Sequence, residues 1–536
     1  MVTYDDGYST FNCLGFFTSS LYYIRYKQPK TEITWRVKSI ERKRVCFGSR
    51  TLSGNQRVQL GAPRNLATGH RFSLRCCSAP NSENFRVSAQ TERSNSFIWS
   101  SAVSVKADLT QALADVIARA ISKFPNGRTV DLALLFVSSR YTSKRLGILS
   151  RGDLEAMIPH LRGIIPSLQV IVGCTSSGMV GHDVRGEPEE VEGAPAVSLL
   201  LASLPDVELI PFHIDASQIP DLDSGPDRWL DLVNRGNRSG VAPEDIRAMI
   251  LLSEPHFCQQ GYLHNLLQGL DFVYPQCSKV GTVACSRSLN ERVQLIYSTL
   301  AFENMPIHEE GVVGIALAGK VRMDVITIPS YRQIGPNMVI RKCDKQCIIE
   351  LSQDSSPNVF GSVERMLQQY VDRLSPKDKE LAGGNVFLGL NQSSDGDIDS
   401  WRNYIVRKIE EPFHINGSLK TSEAVYVGQR VGFFIRDYDF AVQQAGHLFE
   451  SFKRQQLTSN IEGSGPFATA GIAFLSHTKG MEFYRIPNYE STLFHSFMNV
   501  PLVGVFGGKE IASNELRDET LVYEYTSVFG ILEEMC

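Results

Sequence analysis

Asp131-Leu-Ala-Leu-Leu-Phe-Val-Ser138 is the stretch whose reading decides the fold. Its apolar residues run without a polar break and stop after one strand's length, so it reads as a strand buried on both faces. Such a strand needs a layer above it and a layer below. Upstream, Asp108–Phe124 sets Leu109, Leu113, Val116, Ile117, Ala120 and Ile121 at helical spacing, and Pro125-Asn126-Gly127 ends that helix. Downstream, a helix is predicted over Asp153–Ile164, with Pro159 kinking or splitting it. A strand over Val170–Gly173 then runs into Cys174-Thr175-Ser176-Ser177-Gly178.

The alternation continues outward. Ala196–Ser203 and Val207–Phe212 read as a strand pair across the turn Pro205-Asp206. A helix begins at Arg228–Val233, a strand follows at Ala248–Ser253, then a helix at Gln259–Leu270 and a strand at Lys279–Val283. Val312–Leu317 and Val321–Ile326 read as a hairpin across Ala318-Gly319-Lys320. Further on, Val339–Lys342 and Cys347–Leu351 flank a turn, and Val363–Leu374 and Phe440–Phe452 are helices. Val386–Asn391, Val431–Arg436, Ala470–Leu475 and Leu502–Phe506 are strands, with loops at 376–384 and 457–465. The fold class is therefore α/β (α+β), with mixed, largely antiparallel sheets flanked by helices. Val-Gly-Cys, Val-Gly-Thr and Val-Gly-Val recur at 172–174, 280–282 and 503–505, but three residues are too short to establish a repeat.

The chain has 536 residues, enough for two to four domains. Its hydrophobic share of 43% and charged share of 21% are those of a globular protein. No apolar run reaches the ~18 residues a transmembrane helix needs. A net charge of −4 argues against a dedicated nucleic-acid binder. Eleven irregularly spaced cysteines make no disulfide framework. The charge is unevenly placed: residues 1–100 carry 15 Lys+Arg and 6 Asp+Glu, the remainder 39 and 52. Between Gly7 and Ser82 the only acids are Glu32 and Glu41. Residues 1–98 therefore read as a transit peptide, plastid in preference to mitochondrial, or as a disordered basic segment of a cytoplasmic protein. The first residue of the imported, processed protein decides between them.

Two glycine-punctuated strand ends are the binding candidates. Gly173-Cys174-Thr175-Ser176-Ser177-Gly178 offers small residues, hydroxyls and free N–H groups to an anion or carboxylate; the other reading is a plain tight turn. It is neither a P-loop nor a nucleophile elbow. Gly507-Gly508-Lys509-Glu510 can wall a pocket that holds a zwitterion's two charges, or can be a solvated turn. Gly463-x-Gly465 precedes a strand, not a helix, which argues against dinucleotide binding. Cys343-x-x-x-Cys347 lacks a second pair for zinc. On a strand, His256 and Cys258 would share a face, but nothing orients the histidine. His182-Asp183 and His213-x-Asp215 read as solvated loops. No catalytic set, metal site or cofactor site is expected; an enzyme using Cys174 or Cys258 is the minor alternative.

Several segments together resemble the FIST domain family: Asp131–Ser139, Ile171–Gly178, Gly311–Gly319, Tyr331–Arg341 and Cys347–Leu351, then Phe434–Asp437, Pro487-Asn488 and Val500–Ile511. Their order covers about 100–530. The resemblance implies two related layered domains, FIST N over 99–305 and FIST C over 306–536. The family's Phe-Ser-Cys-Leu-Gly-Arg-Gly stretch corresponds to Phe474–Gly480, with Ser476 and Lys479 in place of its cysteine and arginine. Its closing Asn-Gly-Glu-Ile-Gly appears as Gly508–Ala512, where Glu510 is retained. What the resemblance implies is an intracellular sensory or signal-transduction protein that binds a small polar, amino-acid-like ligand without catalysis. Some relatives look like F-box proteins, which implies as the alternative a protein-interaction module in ubiquitin-dependent turnover. Residues 1–100 show no Leu-Pro-rich helical F-box pattern.

Overall fold

Leu132–Ser138 is buried at every position, as its composition requires. It pairs in parallel with Val170–Ser176, and the helix Arg151–Ile164 makes the crossover, running through Pro159 without a break. In the computed structural model the same strand–helix–strand unit occurs twice more. Ile246–Ser253 pairs in parallel with Ser278–Val283 across Pro255–Gln259 and Tyr262–Val273. Phe467–Ser476 pairs in parallel with Leu502–Gly507 across Gly480–Tyr484 and Tyr489–Phe497. The second strand of each pair carries one of the Val-Gly-x triplets. Gly173 lies opposite Leu135, Gly281 opposite Leu251, and Gly504 opposite Ala473. A Cβ on these glycines would lie 1.7, 1.9 and 2.0 Å from the neighbouring carbonyl oxygen. Only glycine fits a backbone approach that close. The triplets are the sequence trace of a threefold internal repeat.

The repeats run from Ile98–Ser104 to Val197–Ser203, from Val207–Ile214 to Val312–Gly319, and from Val321–Pro329 to Thr526–Glu534. Each builds a six-stranded sheet in one order: opening strand, closing strand, the parallel pair, then a hairpin. The hairpins are exchanged between sheets. Gly178–His182 and Pro188–Glu192 lie beside Leu502–Gly507, in the third repeat's sheet. Lys509–Asn514 and Glu519–Tyr523 lie beside Ser278–Val283, in the second's. Leu295–Thr299 and Ile307–His308 lie beside Val170–Ser176, in the first's. The three sheets are thus locked in a ring, and strands from both sides of residue 305 share them.

Two strand pairs expected from the sequence are not formed. Val197–Ser203 does not pair with Val207–Ile214, nor Val312–Gly319 with Val321–Pro329. Each first member already has both edges filled, by Ile98–Ser104 and Leu132–Ser138 or by Val207–Ile214 and Ile246–Ser253. The short turns that follow them are the joints between repeats, where the chain enters the next sheet.

The inner faces of the three sheets share one core, to which Leu134, Val172, Ile250, Val280, Ile472 and Val503 contribute. Alternation of period two sends Leu132, Leu134 and Phe136 into it and Ala133, Leu135 and Val137 outward to the helices. Leu109–Ile121, capped by Asp108, and Arg151–Ile164 cover the first sheet. Pro226–Asn234 and Tyr262–Val273 cover the second. Tyr438–Ile461, longer than expected, and Tyr489–Phe497 cover the third. A fourth sheet, from Tyr331–Asp344 to Arg430–Arg436, is inserted into the third repeat and packs its own helices, Val363–Arg373 and Pro376–Ala382. The second of these replaces an expected loop. Ser375 caps it and Pro376 opens it, a pairing that favours a helix start.

The structure describes residues 96–536 other than 142–148, 235–239, 287–292, 301–305, 384, 393–403, 410–415, 462–466, 515–518 and 536, with five short strand segments between Tyr4 and Ser39. The chain divides into Met1–Pro80 and Asn81–Cys536. The expected transit peptide is almost wholly outside the described residues, and Gly463-x-Gly465 is entirely so. Among the described residues no helix is long and apolar enough to cross a membrane.

Candidate functional site

The carboxyl ends of the three second strands meet. Ser176 Oγ, at the end of the first, donates to the Phe506 carbonyl oxygen at 2.5 Å. Cys285, just past the second, lies 3.3 Å from Ser177 Oγ, and its thiol donates to the same carbonyl at 3.4 Å. Gly508, just past the third, donates its N–H to Val283 O at 2.8 Å. Thr282 Oγ1 donates to Lys509 O at 2.9 Å. Ligands of α/β sheets gather outside the carboxyl ends of parallel strands. Here three such ends face one another.

The two sequence-derived candidate stretches therefore converge, though not every residue faces the junction. Ser176, Ser177, Gly178, Gly507, Gly508 and Glu510 are brought together, Gly178 directly opposite Phe506. Gly173 and Cys174 lie inside the sheet; Cys174 belongs to the shared core. Thr175 Oγ1 accepts the Gln294 N–H at 2.8 Å. Lys509 is 33% exposed and ion-paired to Glu524 at 2.8 Å.

Behind the junction lies a buried charge cluster. The Lys479 ammonium sits 2.9 Å from Glu490 Oε1, with exposures of 0% and 1%, and donates to Ile328 O at 3.1 Å. Tyr484 Oη donates to Glu490 Oε1 at 3.0 Å and Ser527 Oγ to Oε2 at 2.8 Å. Glu490 is thereby saturated. Glu510 is not: it is 0% exposed, and neither carboxylate oxygen makes a well-aligned hydrogen bond among the described residues, though the Thr526 amide is close enough to act on it. Burial pushes its pKa well above the usual carboxylate range, against the Lys479 cation and the Thr526 amide; Glu524 and Glu490 push it further up. The Tyr331 hydroxyl is also buried, with the Thr526 side chain close enough to act on it, and both that phenol and the Cys285 thiol feel the Glu510 charge.

The segment carrying Lys479 and Glu490 is pinned by the first repeat's exchanged hairpin. Neither crossover helix of the third repeat has a side-chain cap of its own. Glu192 Oε1 instead accepts the Met481 N–H, and Glu190 Oε1 accepts the Ser491 N–H, both at 2.7 Å. Carboxylates at helix N-termini satisfy orphan donors and complement the dipole.

Burial raises Cys174, Cys258 and Cys285 above the ordinary thiol range. Cys258 lies on the helical turn Pro255–Gln259, capped by Glu254, so His256 and Cys258 do not share a face as they would on a strand. His182 is 5% exposed, and His213 stacks on His308 at 3.8 Å, so neither lies in a solvated loop. Cys343 and Cys347 lie on the expected hairpin, facing Val425 O and Ser418 Oγ respectively. Among the described residues no group of three His, Cys, Asp or Glu is placed to hold a metal ion. Two surface cavities, of about 430 and 580 Å³, are lined elsewhere: one by Arg128, Asp131 and Glu208 among others, the other by Arg151, His213 and His308.

The buried acids set a pH dependence. Burial, reinforced by Glu490 and Glu192, lifts Glu190 to about 8. Burial and Asp324 lift Glu533 to about 7. Both exceed the unfolded value of about 4.3, so the folded chain keeps protons that the unfolded chain has released, and stability falls as pH rises. His182 and His308, lowered by burial to about 4, act in the opposite sense, but only below their unfolded value of about 6.5. Between pH 6.5 and 8 these histidines no longer contribute, and the raised carboxyls make stability fall with pH. The urea midpoint is expected to fall there by the equivalent of about 1–2 kcal/mol, and Glu190→Gln to flatten the decline. A midpoint that rises over this window contradicts the assignment.

Lys479, Glu490 and Cys285 were not read as site residues from the sequence. Lys479 sits in Ser476-His-Thr-Lys-Gly480, whose polarity reads as a loop, and nothing local announces that a strand and two helices will enclose it.

No curated protein matches the chain. Among solved structures, "T. maritima PurL complexed with ATP" is similar over 82% of this chain and 71% of that one, at 11% identity and a TM-score of 0.19, a likeness that carries no argument. Residues 131–354 match the model of the FIST N domain, which spans the first repeat's parallel pair, the whole second repeat and the opening of the third. FIST domains are signalling-associated and suggested to bind small ligands. Over that segment, under half of its length, the chain is similar to the FIST domain family.

Proposed function

We propose that the chain is a sensory module that holds a small polar ligand bearing an ammonium group, as an amino acid does, at the three-strand junction, and releases it unchanged. The observation that carries this reading is Glu510. A fully buried carboxylate with no well-aligned donor costs several kcal/mol relative to one that is paired. A ligand ammonium supplies the missing donors and a direct charge partner, since the Lys479 ammonium is ion-paired to Glu490. The non-catalytic part rests on three raised thiols, one buried and two half-buried, none of which has an imidazole hydrogen-bonded to it among the described residues.

Thermal unfolding of the full chain against a panel of amino acids, amines and organic acids tests the proposal. At least one amine-bearing compound is expected to raise Tm and to be recovered chemically unchanged. Glu510→Gln keeps the shape but not the charge, and is expected to weaken binding by about tenfold or more, since a charge-assisted contact is lost. A folded protein that no compound shifts removes the reading.

A further inference from the structure

We propose that Arg436 forms a separate oxyanion site, for a carboxylate or phosphate group, where the inserted sheet meets the third repeat. Arg436 ends the strand Arg430–Arg436, opposite Tyr331. Its guanidinium lies over the Phe483 ring at 4.5 Å and the Tyr525 ring at 5.4 Å. One nitrogen, Nη2, donates to Thr478 O at 2.9 Å. Nε is buried and has no partner. No carboxylate among the described residues comes within ion-pair distance; Glu482 acts on the group only from further away. The contrast with other half-buried arginines is direct. Arg332 meets Asp437 and Asp378, Arg407 meets Glu423, and Arg119 meets Asp115.

Buried guanidinium groups stay charged and are paired in stable structures. The two rings stabilise the cation through its faces, but apart from the N–H on Thr478 O they leave the in-plane donors, Nε among them, unfilled. An oxyanion in that plane completes them, which is the recognition arginine's fork is built for. The frame is held in place. Tyr525 adopts φ 57°, an unusual left-handed conformation for a bulky residue. Ser330 Oγ holds its carbonyl at 2.6 Å, and its ring packs against Phe387 at 4.9 Å. Non-glycine residues in that region concentrate at ligand clamps and active sites.

This site stands on an observation independent of Glu510, and its test keeps the two apart. The full chain, Arg436→Lys, Arg436→Gln and Glu510→Gln are titrated with sodium acetate and sodium phosphate against sodium chloride at matched ionic strength, read by thermal shift and calorimetry. The wild type is expected to bind at least one oxyanion beyond the chloride response. Arg436→Gln should weaken it by about tenfold or more, Arg436→Lys less, and Glu510→Gln should leave it intact. A response to phosphate alone assigns a phosphate-bearing ligand, and one to acetate alone a carboxylate. The proposal is overturned if neither oxyanion exceeds chloride on the wild type, or if the lysine variant, which keeps the charge and the fold, binds as well as the wild type.

Discussion

Gly173→Ala, Gly281→Ala and Gly504→Ala are each expected to cost upwards of about 4 kcal/mol or to abolish soluble expression, the far tail for single substitutions. The added methyl would stand 1.7–2.0 Å from a backbone oxygen of the paired strand, and backbone cannot rotate away as a side chain can. Relief requires the parallel strands to part. That breaks a ladder whose hydrogen bonds contribute about 0.5–1.5 kcal/mol each, and it opens the core shared by all three sheets. Because the glycines occupy one position in three copies of one unit, the three effects should be similar. Gly163 and Gly446 are the controls: both lie in helices with nothing within 4 Å of a built Cβ. Alanine there should be neutral or stabilising, since it narrows the unfolded ensemble. Urea midpoints and soluble yield decide. Alanine at any of the three strand glycines costing under ~1 kcal/mol would sink the close-packed repeat.

Those triplets also mark how far the sequence could be read. Leu132–Ser138 announces its double burial because six apolar residues in a row leave no polar face, and the helix Leu109–Ile121 announces its buried stripe and its Asp108 cap. Such signals are local. The Val-Gly-x triplets were visible at 172–174, 280–282 and 503–505, but their meaning lies in the carbonyl each glycine faces, 30 or more residues away in sequence. The hairpin exchange left no mark either. Whether Val207–Ile214 pairs with the strand before it depends on which edges are already filled, and pattern alone does not carry that. For the site, small residues and glycines pointed to both strand ends, and the structure joins them through Ser176 and Phe506. Lys479 is visible in the sequence only as the residue in place of a family arginine, not as part of the site. A lysine in a polar pentapeptide looks solvated until Ile328, Tyr484 and Glu490 close over it.

Lys479→Met is expected to cost about 3–5 kcal/mol, because it strands the Glu490 charge in a site with no exposure. What remains nearby makes it worse. Glu510 and Glu190 each act on or feel Glu490, so without the ammonium Glu490 keeps two buried carboxyl neighbours and loses the cation bonded to it. Protonation is their only relief, so the deficit should grow from pH 6 to pH 8. Glu490→Gln should be milder. The ammonium keeps Ile328 O as an acceptor and gains Glu510 as its nearest charge of opposite sign. The double variant Lys479→Met/Glu490→Gln removes both ends of the pair, and should recover most of the loss, since replacing a buried ion pair outright is far less damaging than halving it. Urea unfolding of the four proteins gives the coupling. A large coupling means that Lys479 is committed to Glu490, and that Glu510 therefore waits for a positive group from outside the chain. Simple additivity would mean that the ammonium already serves Glu510, and the ligand site would lose the vacancy on which it depends.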